Sequence, residues 1–181
     1  MMLSLNLNRF RRRAAAKPES ILRHVDVWSG EDQALPSDDE AGRLSENPLF
    51  MRTLDTLRFA DTDLNGHITH PVVAALFQNG RALLLINQTG QLSPPGMRWV
   101  TRLVSIEYRR EIFWPGTAEI RTCVARLGTS SIHFDQSLLQ ENTSKATARA
   151  VMVLMDVATR QSTPIPAAMR QSLSEIAGEA S

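Results

Sequence analysis

Two periodicities divide the chain. Apolar residues recur at Val73, Leu76, Phe77, Leu83 and Leu84, a helical spacing. This predicts a helix over 72–87, apolar nearly all round and therefore buried. Pro71 fits its first turn, where the N–H that proline lacks would be unpaired anyway. Gly80 in mid-helix costs about 1 kcal/mol against alanine, which points to close approach of a neighbouring backbone. From Met97 onward the period becomes two, with Val100, Val104, Ile106, Tyr108 and Ile112 expected on one face. Pro115-Gly116 makes a turn. Ala118, Ile120, Thr122 and Val124 then alternate with Glu119, Arg121, Cys123 and Ala125. Gly128-Thr129 turns again, before a strand marked by Ile132, Phe134 and Leu138. Glu141 to Ser144 turns once more, and Ala146 to Val157 reads as the last strand. Thr53 to Ala60 reads as a short first strand. Strands joined by tight turns predict an antiparallel meander, and one long helix inserted after the first strand makes the class α+β. Pro164-Ile165-Pro166 ends the sheet, and Ala167 to Gly178 is either a short helix or a frayed tail.

Residues 1–49 lack this patterning. Met1 to Pro18 holds Arg9, Arg11, Arg12, Arg13 and Lys17 but no acid, and includes Ala14-Ala15-Ala16. Such a stretch fits a flexible basic tail or a mitochondrial transit peptide. Glu31 to Glu46 carries six acids with Pro36 and Gly42 among them, as a solvated linker would. The division expected is an extension over 1–49, a domain over 50–168 and a tail over 169–181.

Composition narrows the function mainly by exclusion. A net charge of +1 gives no electrostatic case for nucleic acid or a membrane surface. One cysteine, Cys123, excludes an internal disulfide and a cysteine-based zinc site; in its alternating run it reads as a buried, inert thiol. The four histidines show no metal-ligand spacing, so no metal is expected. The apolar runs are too short to span a bilayer.

The densest polar cluster lies just ahead of the helix, in Arg58-Phe59-Ala60-Asp61-Thr62-Asp63-Leu64-Asn65-Gly66-His67-Ile68-Thr69-His70-Pro71. Asp63 falls in the loop leading into the helix, and His70 at or beside the N-cap. The first helical turn offers free N–H groups and the positive end of the dipole, so a carboxylate stands near a ready-made oxyanion site. The same residues also fit a purely structural Asx-turn and cap.

This cluster resembles the opening motif of the hotdog-fold, 4-hydroxybenzoyl-CoA thioesterase-like acyl-CoA thioesterases. Ile106-Glu107-Tyr108 before Pro115-Gly116 resembles later parts of the family pattern. So do Leu127-Gly128-Thr129-Ser130-Ser131, Ala146 to Ala150 and Pro164-Ile165-Pro166, and the likeness spans roughly residues 52–168. It implies an antiparallel sheet wrapped around a central helix. It also implies hydrolysis of acyl-CoA or acyl-carrier-protein thioesters, with no cofactor, since coenzyme A is part of the substrate. The family's catalytic carboxylate falls on Asp63, and its oxyanion donor, a backbone N–H, at about His70. Members that use a helical Glu instead are not matched: Phe77-Gln78-Asn79 carries no carboxylate.

The catalytic candidates are therefore Asp63, His70 and Gly66, with Asp61 fixing the loop. For substrate binding the candidates are Asn65, His67, Arg109, Arg110, Arg126, Ser130 and Ser131, the arginines by meeting phosphates of coenzyme A. His67 also fits a packed structural histidine, and each arginine a solvated sheet face. A single sheet leaves an edge to cover, so a homodimer or homotetramer is expected, with the site at the subunit interface. A cytoplasmic location is expected, or the mitochondrial matrix if the N-terminus is a transit peptide. The competing reading is a non-catalytic hotdog module that binds acyl thioesters or serves only in assembly.

Overall fold

The computed structural model describes residues 50–177; the basic and acidic stretches before them lie outside the described residues. Five strands form one antiparallel sheet: β1 (Met51–Thr56), β2 (Met97–Tyr108), β3 (Thr117–Leu127), β4 (Ser131–Gln140) and β5 (Thr143–Asp156). Their order is β1-β3-β4-β5-β2, so β1 and β2 are the two edges. Helix α1 (His70–Thr89) and helix α2 (Ala167–Ala177) complete the fold. The expected α+β arrangement, a sheet around a helix, is what the chain adopts.

Alternation builds the sheet's inner face. Ala118, Ile120, Thr122 and Val124 of β3, Ile132, Phe134 and Leu138 of β4, and Ala146, Ala148 and Ala150 of β5 are all buried. Helix α1 lies on this face. Its backbone comes so close at Gly80 that a Cβ there would stand 2.7 Å from Thr122 Oγ1 and 3.0 Å from Ile120 Cγ2. The missing side chain is therefore a packing requirement.

Four expectations need correction. The first strand ends at Thr56, and Phe59–Asp61 forms a 3-10 turn instead. The period along β2 breaks at a bulge between Thr101 and Leu103. As a result Trp99 packs toward the core on the same face as Ile106, and Val100 points to the opposite face. The bulge cannot be read from an apolar-polar string in which both neighbours are apolar. Helix α1 is buried on one side only, through Val73, Leu76, Phe77, Leu84 and Leu85; Gln78, Asn79, Leu83 and Ile86 are exposed. Lastly, Met169 and Leu173 of α2 are buried against Leu84, Leu85 and Phe134. Of residues 169–177, set apart from the domain as a tail, Met169 and Leu173 thus pack into its core.

Candidate active site

The loop from Arg58 to Thr69 is held by its own hydrogen bonds. Asp61 is buried, and its carboxylate accepts from Arg58 N at 2.9 Å and from the Arg58 guanidinium at 3.3 and 3.4 Å. Asp61 O accepts from Thr69 N at 3.0 Å, which ties the loop's start to the residue preceding α1. Between these anchors Asp63 N donates to His67 O at 2.9 Å, and Gly66 N donates to Asp63 O at 3.1 Å. Gly66 has φ +78°, a left-handed conformation that glycine adopts at little cost. Ile68 N donates to Ile112 O at 2.8 Å, fixing the loop's end to the segment after β2.

Asp63 sits in the middle of this frame. Its Oδ1 accepts from Asn65 N at 2.8 Å and from His67 N at 3.1 Å. Among the described residues Oδ2 meets only the long contact from Asn65 Nδ2 at 3.5 Å. The carboxyl is exposed, and the backbone N–H of His67 followed by that of Asn65 hold its pKa below the usual carboxylate value. At neutral pH it is an anion with one oxygen held and the other open.

Helix α1 supplies the complementary group. Val72 N and Val73 N both donate to Thr69 O, at 3.0 and 3.2 Å. Pro71 has no N–H. Of the first turn's amides, His70 N–H alone makes no hydrogen bond among the described residues. One unpaired donor thus stands at the positive end of the helix dipole.

Loop and helix start share a cavity of about 450 Å³. Asp63, His67, Thr69, His70, Pro71 and Val73 line one side; Tyr108, Arg109, Arg110, Glu111 and Ile112 line the other. The structure thereby brings together Asp63, His67, His70, Arg109 and Arg110. His67 Nε2 lies 3.5 Å from Glu111 Oε1, and its ring meets Phe113 edge-on at 5.1 Å. The Arg109 guanidinium is held by Glu107 at 3.0 Å, whereas Arg110 is exposed at the cavity. Asn65 and Gly66 shape the loop rather than line the cavity.

Arg126, Ser130 and Ser131 lie elsewhere. They stand at the far end of β3 and the start of β4, roughly 30 Å from the cavity end of the sheet at strand rise. Ser130 and Ser131 are buried: Ser130 O accepts from Leu154 N at 2.8 Å, and Ser131 O from Gly128 N at 2.9 Å. Arg126 lines a second, shallower cavity of about 430 Å³ with Gly128, Thr129 and Arg170. The Arg170 guanidinium donates to Gly128 O.

Sequence reasoning overlooked Tyr108 and Glu111 at the cavity. Tyr108 shares the inward-facing register of Ile106, two residues earlier, and that register directs it toward the start of α1. Cys123 is buried as expected, and burial pushes its thiol pKa up to about 12. Among the described residues no group of three or more His, Cys, Asp or Glu is placed to hold a metal ion. No helix among them is long and apolar enough to cross a membrane.

The sequence model of the thioesterase-like superfamily matches residues 57–173, from just ahead of this loop to the last helix. A protein of Bacillus stearothermophilus described as a predicted thioesterase is 27% identical, with a TM-score of 0.65 over 70% of this chain and 95% of its own. A thioesterase from Thermus thermophilus, complexed with coenzyme A and zinc, superposes with a TM-score of 0.66. It is 20% identical, over 75% of this chain and 99% of its own. A DHNA-CoA thioesterase from Staphylococcus aureus, 16% identical, superposes with a TM-score of 0.66 over 71% and 91% of the two chains. At these last two identities the likeness concerns the fold, which is the hotdog. No curated protein matches.

Proposed function

Because the chain belongs to the thioesterase-like superfamily, we propose that it hydrolyses acyl thioesters of coenzyme A or of an acyl carrier protein. The observation that carries this reading is the pairing in one cavity of an ionised Asp63 with the one unpaired amide of the α1 first turn, His70 N–H. The thioester carbonyl oxygen would point at that amide. Asp63 Oδ2 then acts in one of two ways. As a general base it takes a proton from water, whose oxygen adds to the carbonyl carbon. As a nucleophile it adds directly, and collapse of the tetrahedral adduct gives a mixed anhydride that water later cleaves. In either case the C–S bond breaks, the thiolate leaves and takes up a proton, and the carboxylic acid is released. His70 N–H stabilises the oxyanion, a role worth about 10²–10³ in rate where such donors have been removed. Gly66 keeps the turn that aims Asp63.

In this reading Arg110, exposed at the cavity, would meet phosphates or the pantetheine end, and His67 would contact the substrate's acyl side. Coenzyme A bound to the Thermus thermophilus relative supports it as the carrier. Among the described residues strand β2 is an unpaired edge, and Leu83 and Ile86 of α1 are exposed, which supports a homodimer or a dimer of dimers covering both. In such an assembly Arg126, Ser130 and Ser131 contribute to a substrate site only from another copy.

One observation favours a second reading. Asp63 Oδ1 spends itself on two backbone N–H groups, as in a purely structural turn, so the domain would bind thioesters without cleaving them. Asp63→Asn separates the two, because the amide oxygen still accepts both N–H bonds. The purified protein is to be assayed on short, long, branched and aromatic acyl-CoA esters. A folded Asp63→Asn variant is expected to lose about 10²–10⁴ of the hydrolysis rate. Full activity in that variant would refute the assignment, and a wild-type protein that binds the esters but cleaves none would establish the second reading.

A further inference from the structure

The proposed reaction depends on where one amide points, and one residue of the cavity grips that amide's residue from two sides. The rings of His70 and Tyr108 stack at 4.2 Å between centroids, with their planes 25° apart. Tyr108 Oη also donates to His70 O at 3.4 Å. Residue 70 is therefore held through its side chain and its carbonyl, and only its N–H is left unengaged among the described residues. Tyr108 is the last residue of β2, and two bonds root the backbone just beyond it. Arg109 N and Arg110 N both donate to Lys145 O, at 2.9 and 3.0 Å. The Thr69 side chain makes no capping bond, so the helix start is held through backbone alone, Thr69 N donating to Asp61 O and Thr69 O accepting from Val72 N and Val73 N. Partial burial holds the phenol's pKa above its ordinary value, so Tyr108 stays a donor through the neutral and mildly alkaline range.

We propose that Tyr108 is a positioning residue for the hydrolysis put forward above: it clamps His70 against the end of β2 and so sets where the His70 amide stands in the cavity. This rests on that functional reading. It differs from a substrate-contact role for Tyr108, because the expected effect is on the chemical step rather than on binding. Small displacements of a reacting or stabilising group lower rates steeply, by up to about 10²-fold per ångström.

The test uses Tyr108→Phe, Tyr108→Leu and His70→Ala in the full chain. Tyr108→Phe keeps the stack and loses the weaker of the two holds, a long hydrogen bond, so kcat is expected to fall only about two- to fivefold. Tyr108→Leu removes the stack, and kcat is expected to fall about ten- to a hundredfold with KM within threefold. His70→Ala removes the same stack from the other side. Combined with Tyr108→Leu it is expected to add no further loss, since both delete one contact. The ring-proton resonances of His70 provide a readout independent of turnover. They are expected to move downfield in Tyr108→Leu and stay in place in Tyr108→Phe, as the ring current of residue 108 is lost or kept. Should Tyr108→Leu fail to fold, His70→Ala against Tyr108→Phe carries the comparison. Unchanged kcat in folded Tyr108→Leu, a loss confined to KM, or unmoved His70 resonances would overturn the clamp while leaving the hydrolase reading intact. A wild-type protein inactive on every thioester would overturn both.

Discussion

Arg81 of α1 reaches Gln136 of β4 in the interior, Nη1 donating to Oε1 at 2.5 Å. Both side chains are buried, and no carboxylate balances the guanidinium among the described residues. Desolvation lowers the Arg81 pKa to about 10, so the cation persists at neutral pH. Gln136 is the hub: its Nε2 donates to Phe77 O and to Thr122 Oγ1, each at 2.9 Å, joining α1, β3 and β4. Helix and sheet thus share one polar knot at the point of their closest approach.

Replacing Gln136 by Leu should test how much the fold depends on this knot. It strips a buried cation of its acceptor and leaves Phe77 O and Thr122 Oγ1 without their donor. Loss of a hydrogen bond to a charged group typically costs about 1.5–3 kcal/mol. A drop of that order in urea-denaturation stability is expected, and Arg81→Met added to it should recover part of the loss by removing the stranded charge.

Gly80→Ala probes the same approach sterically. The added methyl would stand 2.7 Å from Thr122 Oγ1, below any ordinary contact. Strand β3 or the helix must shift, and overpacking of this kind costs about 1–3 kcal/mol. Alanine's higher helix propensity, worth about 1 kcal/mol, works in the opposite direction. Net destabilisation is expected, read as a lowered Tm. A raised Tm would show that propensity wins and that the packing is loose.

The pH dependence of hydrolysis should report Asp63. Backbone hydrogen bonds, that from His67 first, depress its pKa below the ordinary 3.8. A depressed acid is ionised above its folded pKa, so its contribution to activity is complete at neutral pH and lost only as pH falls through a value under 3.8. The kcat/KM profile of the free enzyme is therefore expected to carry no limb from Asp63 between about pH 5 and pH 8. An acid limb of Asp63 inside that range would show that the backbone hydrogen bonds do not hold its anion.

Much of this architecture is legible in the residue string. The helical run after Pro71 and the alternation of Ile120, Thr122 and Val124 are strong periodic signals, and each maps onto the element it predicts. Gly80 stands out because nothing about an exposed helix would call for it. The misreadings share a cause. The β2 bulge, the 3-10 turn at Phe59–Asp61 and the one-sided burial of α1 all depend on tertiary partners that a residue string does not name. At the site, the Asp63 loop announces itself through a run of polar residues. Tyr108 does not, because an aromatic at an inward strand position looks like core until the helix start is placed beside it. Arg126, Ser130 and Ser131 have suitable chemistry too, but within one chain the sheet places them at its opposite end, which no residue string discloses.

The interior falls into two clusters with different places along the chain. Around Phe77 the last contributor is Ala148, in β5; around Leu84 and Phe134 the last contributors are Ile165, Met169 and Leu173. During synthesis the cluster beneath the Asp63 loop can therefore assemble while the carboxyl-terminal residues are still inside the ribosome. The opposite cluster is complete only once α2 has emerged to supply Met169 and Leu173.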